Sequence, residues 1–171
     1  ANCPISVWQL CQLSRACMRI PKVTKSKAIA EVQGVVLSEQ YETGDFVSCD
    51  QYVVRTPGRL IEGYGKEAEH NMYHGGTIFR DAASKYIHVE NQVSLGAGDT
   101  TVAKLKFEEW LWEQARVSVR HYHSDNGVFT AECFREACSE AKQTQSFSGV
   151  GAQHQNAEAE HAIQTVMYTT L

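Results

Sequence analysis

The spacing of apolar positions changes several times along the chain, and each change predicts an element. From Asp45, DFVSCDQYVV alternates apolar and polar residues and is rich in β-formers, which predicts a first strand. RTPGRLIEGYGKEAEHNMYHGG follows as loop, with glycines, a proline and charges. GTIFRDAAS and KYIHVENQVS predict two more strands joined by a tight Ala-Ser-Lys turn, so residues 76–94 read as a hairpin. Gly96 and Gly98 mark the next break. TTVAKLKFEEWLWEQAR has helical spacing, with Asp99 or Thr100 as the cap and Val102, Leu105, Trp110, Leu111 and Ala115 as the apolar face. VSVRHYHSD predicts a fourth strand, AECFREACSEAK a helix capped by Thr130, and QTQSFS a short fifth strand. SGVGAQHQ is a glycine-bearing loop, and NAEAEHAIQTVMYTT is a last helix.

Three successive strands, then alternating helices and strands, predict an α/β fold with a mixed sheet and helices on its faces. A site in such a fold forms where strand ends meet helices. Residues 1–30 differ in character. Arg15, Arg19, Lys22, Lys25 and Lys27 fall close together with no acid among them, and Pro21 breaks any helix. This segment reads either as a solvated tail or as an arm that contacts phosphates.

Composition narrows the classes. The 171 residues fit one domain plus an extra segment, and 43% apolar residues can bury a sizeable core. A net charge of −4 argues against gripping nucleic acid through bulk charge, so DNA contacts must come from local patches. No run is long and apolar enough to span a membrane, and no membrane or small-molecule partner is expected. The opening ANCPISVWQLCQLSRACM is not a signal peptide, having no basic start before an apolar block. The first residue is not Met, which suggests a piece of a longer chain. The six cysteines (3, 11, 17, 49, 133 and 138) do not have the spacing of a disulfide framework, so a reduced, intracellular protein is expected. Cys133 and Cys138 sit in a helical pattern and read as packed thiols.

Three acids stand out by position. Asp50 lies inside the first strand, Asp125 ends the fourth, and Glu160 lies one turn into the last helix. An isolated buried carboxylate is costly, and a divalent cation removes that cost. Two such ions can clamp the attacking and leaving oxygens of phosphoryl transfer. Each acid also has a plainer reading. Asp125 in Asp-Asn-Gly is a turn residue, Asp50 faces solvent on an edge strand, and Glu160 is a surface residue beside Glu158.

HSDNGVF followed by QSFSGVGAQHQNAEAEHAIQTV resembles the catalytic core of retroviral-type integrases, in particular those of copia-type long-terminal-repeat retrotransposons. VSCDQYVVRTPGRL, GGTIFRDAAS and WLWEQARV also resemble one copia-like branch, and the resemblance covers roughly residues 11–171. It implies an RNase H-like fold, a mixed five-stranded sheet flanked by helices. It implies that residues 1–40 are a basic remnant of a zinc module and linker, and that 41–171 are a catalytic core truncated inside its last helix. It makes Asp50, Asp125 and Glu160 the catalytic and metal-holding triad, with Mg2+ or Mn2+ as the cofactor. The implied chemistry is DNA 3′-end processing by water, then attack of a 3′-hydroxyl on a target phosphodiester. DNA would be the partner, held by a homo-oligomer, and the location the nucleus, reached through a cytoplasmic virus-like particle. Asn126 would orient the strand end or contact DNA. Gln153, Gln155, Asn156 and His161, with Arg15, Arg19 and Lys22 of the arm, would also meet DNA.

Some positions depart from that pattern. His161 replaces the usual Arg after the glutamate, and Arg80 stands where an apolar residue is expected, either pointing out of the sheet or marking decay. Trp8 occupies the place of a zinc-module cysteine, and no His precedes His70, so zinc is not expected here. The histidines at 121 and 123 share one strand face, as a metal pair or as packing. A degenerate, inactive remnant and a non-catalytic RNase H-like nucleic-acid-binding module are therefore the alternatives, with a zinc protein organised by the early cysteines outside this fold.

Overall fold

The computed structural model describes residues 41–60, 71–149 and 156–169. The basic segment, the early cysteines, Gln153, Gln155 and the loop glycine at 151 lie outside the described residues. Among the described residues the order is β1 (Val47–Arg59), β2 (Met72–Asp81), β3 (Ile87–Gln92), α1 (Ala97–Ala115), β4 (His121–Ser124), a 3-10 turn (Val128–Thr130), α2 (Glu132–Glu140), β5 (Thr144–Phe147) and α3 (Ala157–Thr169). The five strands form one mixed sheet in the order β3-β2-β1-β4-β5. β1, β2 and β3 are antiparallel neighbours, while β4 lies parallel to β1 and β5 parallel to β4. No helix among the described residues is long and apolar enough to cross a membrane.

The first hairpin is longer than its pattern suggests. β1 runs on to Arg59 and β2 starts at Met72, so both ends of the expected loop are strand. A register shift between Val53 and Gly58 absorbs the proline and glycine there, as bulges on antiparallel pairs do. Conversely, β4 keeps only His121–Ser124 of the expected VSVRHYHSD.

Strand alternation divides the sheet into two faces. On one, Val47, Cys49, Phe79 and Tyr122 meet Ala103, Phe107 and Leu111 of α1 and Phe134 and Cys138 of α2. The rings of Phe79 and Phe107 stack at 4.5 Å, and burying each is worth about 2–3 kcal/mol. The expected apolar face of α1 is partly wrong. Val102 and Leu105 are exposed, whereas Thr100, Ala103, Lys104, Phe107 and Leu111 are buried. Lys104 is fully buried because its charge is met there. Its Nζ lies 3.0 Å from Glu108 Oε1 and 5.6 Å from the centre of the Tyr122 ring. The Tyr122 hydroxyl and Gln143 Nε2 donate to the same Glu108 oxygen at 2.7 and 2.6 Å.

The expected caps are also corrected. Gly96 holds the N-cap position of α1, and the Thr100 hydroxyl donates back to its carbonyl instead of capping. Ala131 starts α2, and the Thr130 hydroxyl donates to Gly127 O. Cys138 is buried, but Cys133 is exposed and is not a core thiol.

Candidate active site

The opposite face carries Ser48, Asp50 and Tyr52 of β1, paired across to Arg80, Ile78 and Gly76 of β2. Ser48 is in register with His123 on the other side, so Asp125, two residues further along the same face, follows β4 beside Asp50. α3 packs over β1 and β2 with Ala159 and Ala162 fully buried against them. Glu160 lies on its flank. The three acids thus come from three elements but share one face and one end of the sheet.

Their electrostatics register that proximity. The Asp50 carboxyl is pushed up to about 6 by burial and by the charges of Asp125 and Glu160, against the lowering effect of a hydrogen bond from Gln51 N. That bond is 2.8 Å and engages Oδ1. Asp125 is exposed, and its Oδ1 accepts Gly127 N at 3.1 Å. Asp125 is therefore a turn residue and a neighbour of Asp50 at once. Gly127 is not left-handed; its value is room, since a Cβ there would stand 3.1 Å from Asp125 Oδ1. Gln51, on the core face, donates to Leu95 O and to Thr100 Oγ1 at 3.1 and 2.8 Å, tying the strand that carries Asp50 to the start of α1.

The donor set suits a hard divalent cation, which prefers carboxylate oxygens. A cation would offset the burial and the repulsion that raise Asp50. As the side chains stand, no group of three or more His, Cys, Asp and Glu among the described residues is drawn close enough to hold a metal ion.

Glu158 and Glu160 have different surroundings on α3. Arg80 Nη1 lies 3.0 Å from Glu158 Oε2 and donates to Glu158 O at 2.9 Å. Glu158 is taken by Arg80, while Glu160 acts on Asp50. Arg80 is thus neither splayed into solvent nor idle. Asn156 is buried, and its Nδ2 donates to Cys49 O at 3.2 Å, so this side chain pins α3 to β1 and is not offered to DNA. Asn126 Nδ2 donates to Ser148 O at 2.8 Å, which ties the end of β4 to the end of β5. His161 is exposed on α3.

The two strand histidines are packing residues. His121 bonds Thr144 and Ser146 hydroxyls at 2.7 Å each, and His123 bonds Ser146 at 2.8 Å. Phe46 stacks on both rings at 5.0 and 5.8 Å. Burial and the neighbouring His123 lower the pKa of His121. Arg80 and Gln51 were given no role at the site by sequence alone, and Asn156 was given a different one. Arg80 gave a signal, as a charge at an apolar strand position; Gln51 gave none.

No family model matches the chain, and no curated protein matches it. Solved structures do. The HTLV-2 integrase catalytic core domain, in complex with magnesium in a dimeric form, is 19% identical over 61% of this chain and 60% of its own, with a TM-score of 0.46. The simian T-cell lymphotropic virus intasome in complex with the PP2A regulatory subunit B56 gamma aligns at 12% identity and a TM-score of 0.54, covering 71% of this chain and 37% of its own. The chain therefore spans about 60% of the first of these and a smaller part of the second. What the likeness shows is the class of fold. The mixed five-stranded sheet flanked by helices is the RNase H-like fold of retroviral integrase catalytic cores.

Proposed function

We propose that this chain is the catalytic core of a copia-type retrotransposon integrase, a polynucleotidyl transferase acting on DNA. The observation that supports the reading is the sheet face shared by Asp50 and Asp125, over which α3 with Glu160 packs; Asp125 opens the Asp-Asn-Gly motif and Glu160 closes the Gln-Asn-x-x-x-Glu motif. Asp50, Asp125 and Glu160 would hold Mg2+ or Mn2+. When bound, such ions lower the pKa of an attacking water or hydroxyl and stabilise the leaving oxygen. The chain's own part is positional. β1 and β4 fix two carboxylates by sheet register, and α3 brings the third across them. Gly127 N, donating to Asp125 Oδ1, restrains that carboxylate at the end of β4. In-line displacement at phosphorus asks mostly for such positioning and charge neutralisation.

DNA ends and target DNA are the proposed partners, in a homo-oligomer that joins two ends. Exposed His161 and Asn126, with Gln153, Gln155, Arg15, Arg19 and Lys22, would line the DNA path. The element's copy of the enzyme would work in the nucleus. A second reading, a degenerate core without activity, is motivated by Trp8, Arg80 and His161, which depart from the family pattern.

The test is disintegration of a branched DNA by the purified chain in Mg2+ or Mn2+, with Glu160→Gln alongside. Metal-dependent cleavage and joining, lost in Glu160→Gln, supports the enzyme. A well-folded protein with no activity, here and in a longer chain bearing the flanking segments, selects the degenerate remnant.

A further inference from the structure

We propose that Arg80 is a positioning residue for Glu160, setting the rotation of α3 about its own axis through a two-point hold on Glu158. The inference rests on the reading of the three acids as a metal site. Residues 158 and 160 point about 200° apart on a helix, with Ala159 between them. Ala159 is fully buried against the sheet. The helix therefore rides on Ala159, with Glu158 on the flank over β2 and Glu160 on the opposite flank, where its charge reaches Asp50.

Packing alone holds that rotation weakly. The residues under the first turns are Ala159 and Ala162, which present no long side chain to lock into the sheet. Further along, Ile163, Val166 and Met167 of the helix stand over Tyr52, Ile78 and Val89 of the sheet, but a cavity of about 350 Å3 remains between them, so these side chains do not interlock tightly. Asn156 pins the helix start by one bond to Cys49 O, about which the helix can still turn. The directional restraint is Arg80. One guanidinium nitrogen meets both the Glu158 carboxylate, at 3.0 Å, and the Glu158 backbone carbonyl, at 2.9 Å. A side-chain tip lies about 5–6 Å from a helix axis, so a rotation of about 10° moves it by about 1 Å. Misplacement of about 1 Å at a reacting centre costs about 100-fold in rate.

Arg80→Met is the test, with Arg80→Lys as the conservative partner. Three readouts are taken: the melting midpoint, Mn2+ affinity by calorimetry, and a crystal structure. Arg80→Met is expected to lower Mn2+ affinity at least 10-fold and disintegration rate by 10- to 100-fold, with the DNA KM within twofold of the parent. Arg80→Lys recovers part of both, because an ammonium still reaches the carboxylate. In the crystal, α3 is turned and the Glu160 carboxylate lies at least 1 Å from its parental place relative to Asp50. A crystal structure in which α3 keeps its rotation, or Mn2+ affinity equal to the parent's, overturns the proposal. If the parent binds no Mn2+, or Glu160→Gln binds as the parent does, the metal reading falls instead, and the crystal comparison still decides whether Arg80 sets the helix.

Discussion

Replacing Asp50 by Asn should stabilise the protein at neutral pH, and the reason lies in the company Asp50 keeps. Burial, Asp125 and Glu160 push its carboxyl from 3.8 up to about 6. The folded state thus holds a proton more tightly than the unfolded chain. The stability this contributes is fully present below pH 3.8 and is lost as pH rises through about 6. A shift of that size is worth about 3 kcal/mol for a fully buried group. Asp50 is only half-buried, and water screening reduces this to about 1–2 kcal/mol. Asparagine cannot ionise, and its Oδ1 can still accept Gln51 N. Asp50→Asn should therefore melt with the parent near pH 4 and about 3–6 °C above it at pH 7.5. Added Mg2+ or Mn2+ should raise the parent at pH 7.5, by removing the same repulsion, and leave Asp50→Asn nearly unmoved. Thermal melts by circular dichroism across pH 4–7.5 read all of this. A variant that melts below the parent at pH 7.5, or a difference that does not change with pH, would refute the argument that these three charges oppose one another.

Two further outcomes concern stability. Lys104→Met should cost about 3 kcal/mol or more, because Glu108 keeps its charge in a site that Lys104 neutralises, whereas Lys104→Met with Glu108→Gln should recover most of the loss, as read by urea denaturation. Gly76→Ala should be strongly destabilising, by about 2–3 kcal/mol, since its Cβ would fall on the Glu90 carbonyl and 2.6 Å from the Tyr52 hydroxyl; a melt equal to the parent's would show that β2 and β3 can separate at no cost.

Much of the architecture was legible because the sheet core is conventional. Phe79 lies on a strand that reads as a strand, and Phe107 and Leu111 recur at helical spacing. What was misread traces to interactions that hydropathy does not encode. Lys104 is polar by type, yet Glu108 one turn on and the Tyr122 ring make it a core residue, which rotates the buried face of α1 away from Val102 and Leu105. The far half of the first hairpin contains Thr56, Pro57 and Gly58, which signal loop, and only the partner strand at Tyr73 and Met72 makes it strand. At the site, the motifs singled out Asp50, Asp125 and Glu160; what they did not reveal is that Glu158 is held by Arg80, 78 residues away in sequence. Likewise Asn156 looks like a loop residue offered to DNA until Cys49 O is found beneath it.

The three consecutive residues Cys49, Asp50 and Gln51 show how the sheet secures this site. Cys49 is sealed in the core, Asp50 faces the other acids, and Gln51 returns to the core side to hold the start of α1. A slip of one residue in β1 would exchange these faces, placing a carboxylate in the core and a thiol at the site. Several features oppose that slip. Tyr52 reaches across Gly76 to Asn91 at 2.6 Å, which a side chain at 76 would block. Gln51 can satisfy Leu95 O and Thr100 together only in the present register. Asn156 reads the same register from the opposite side, through Cys49 O. Asp50, and Asp125 just beyond the parallel pairing of β1 and β4, therefore inherit their positions from backbone ladders. Glu160 inherits its position from the seat of a helix, which Asn156, the buried Ala159 and Ala162, and Arg80 hold through side chains. Of the three acids it is the one whose placement depends on side-chain contacts, and so the one that sequence drift at a distant position would displace first without disturbing the sheet.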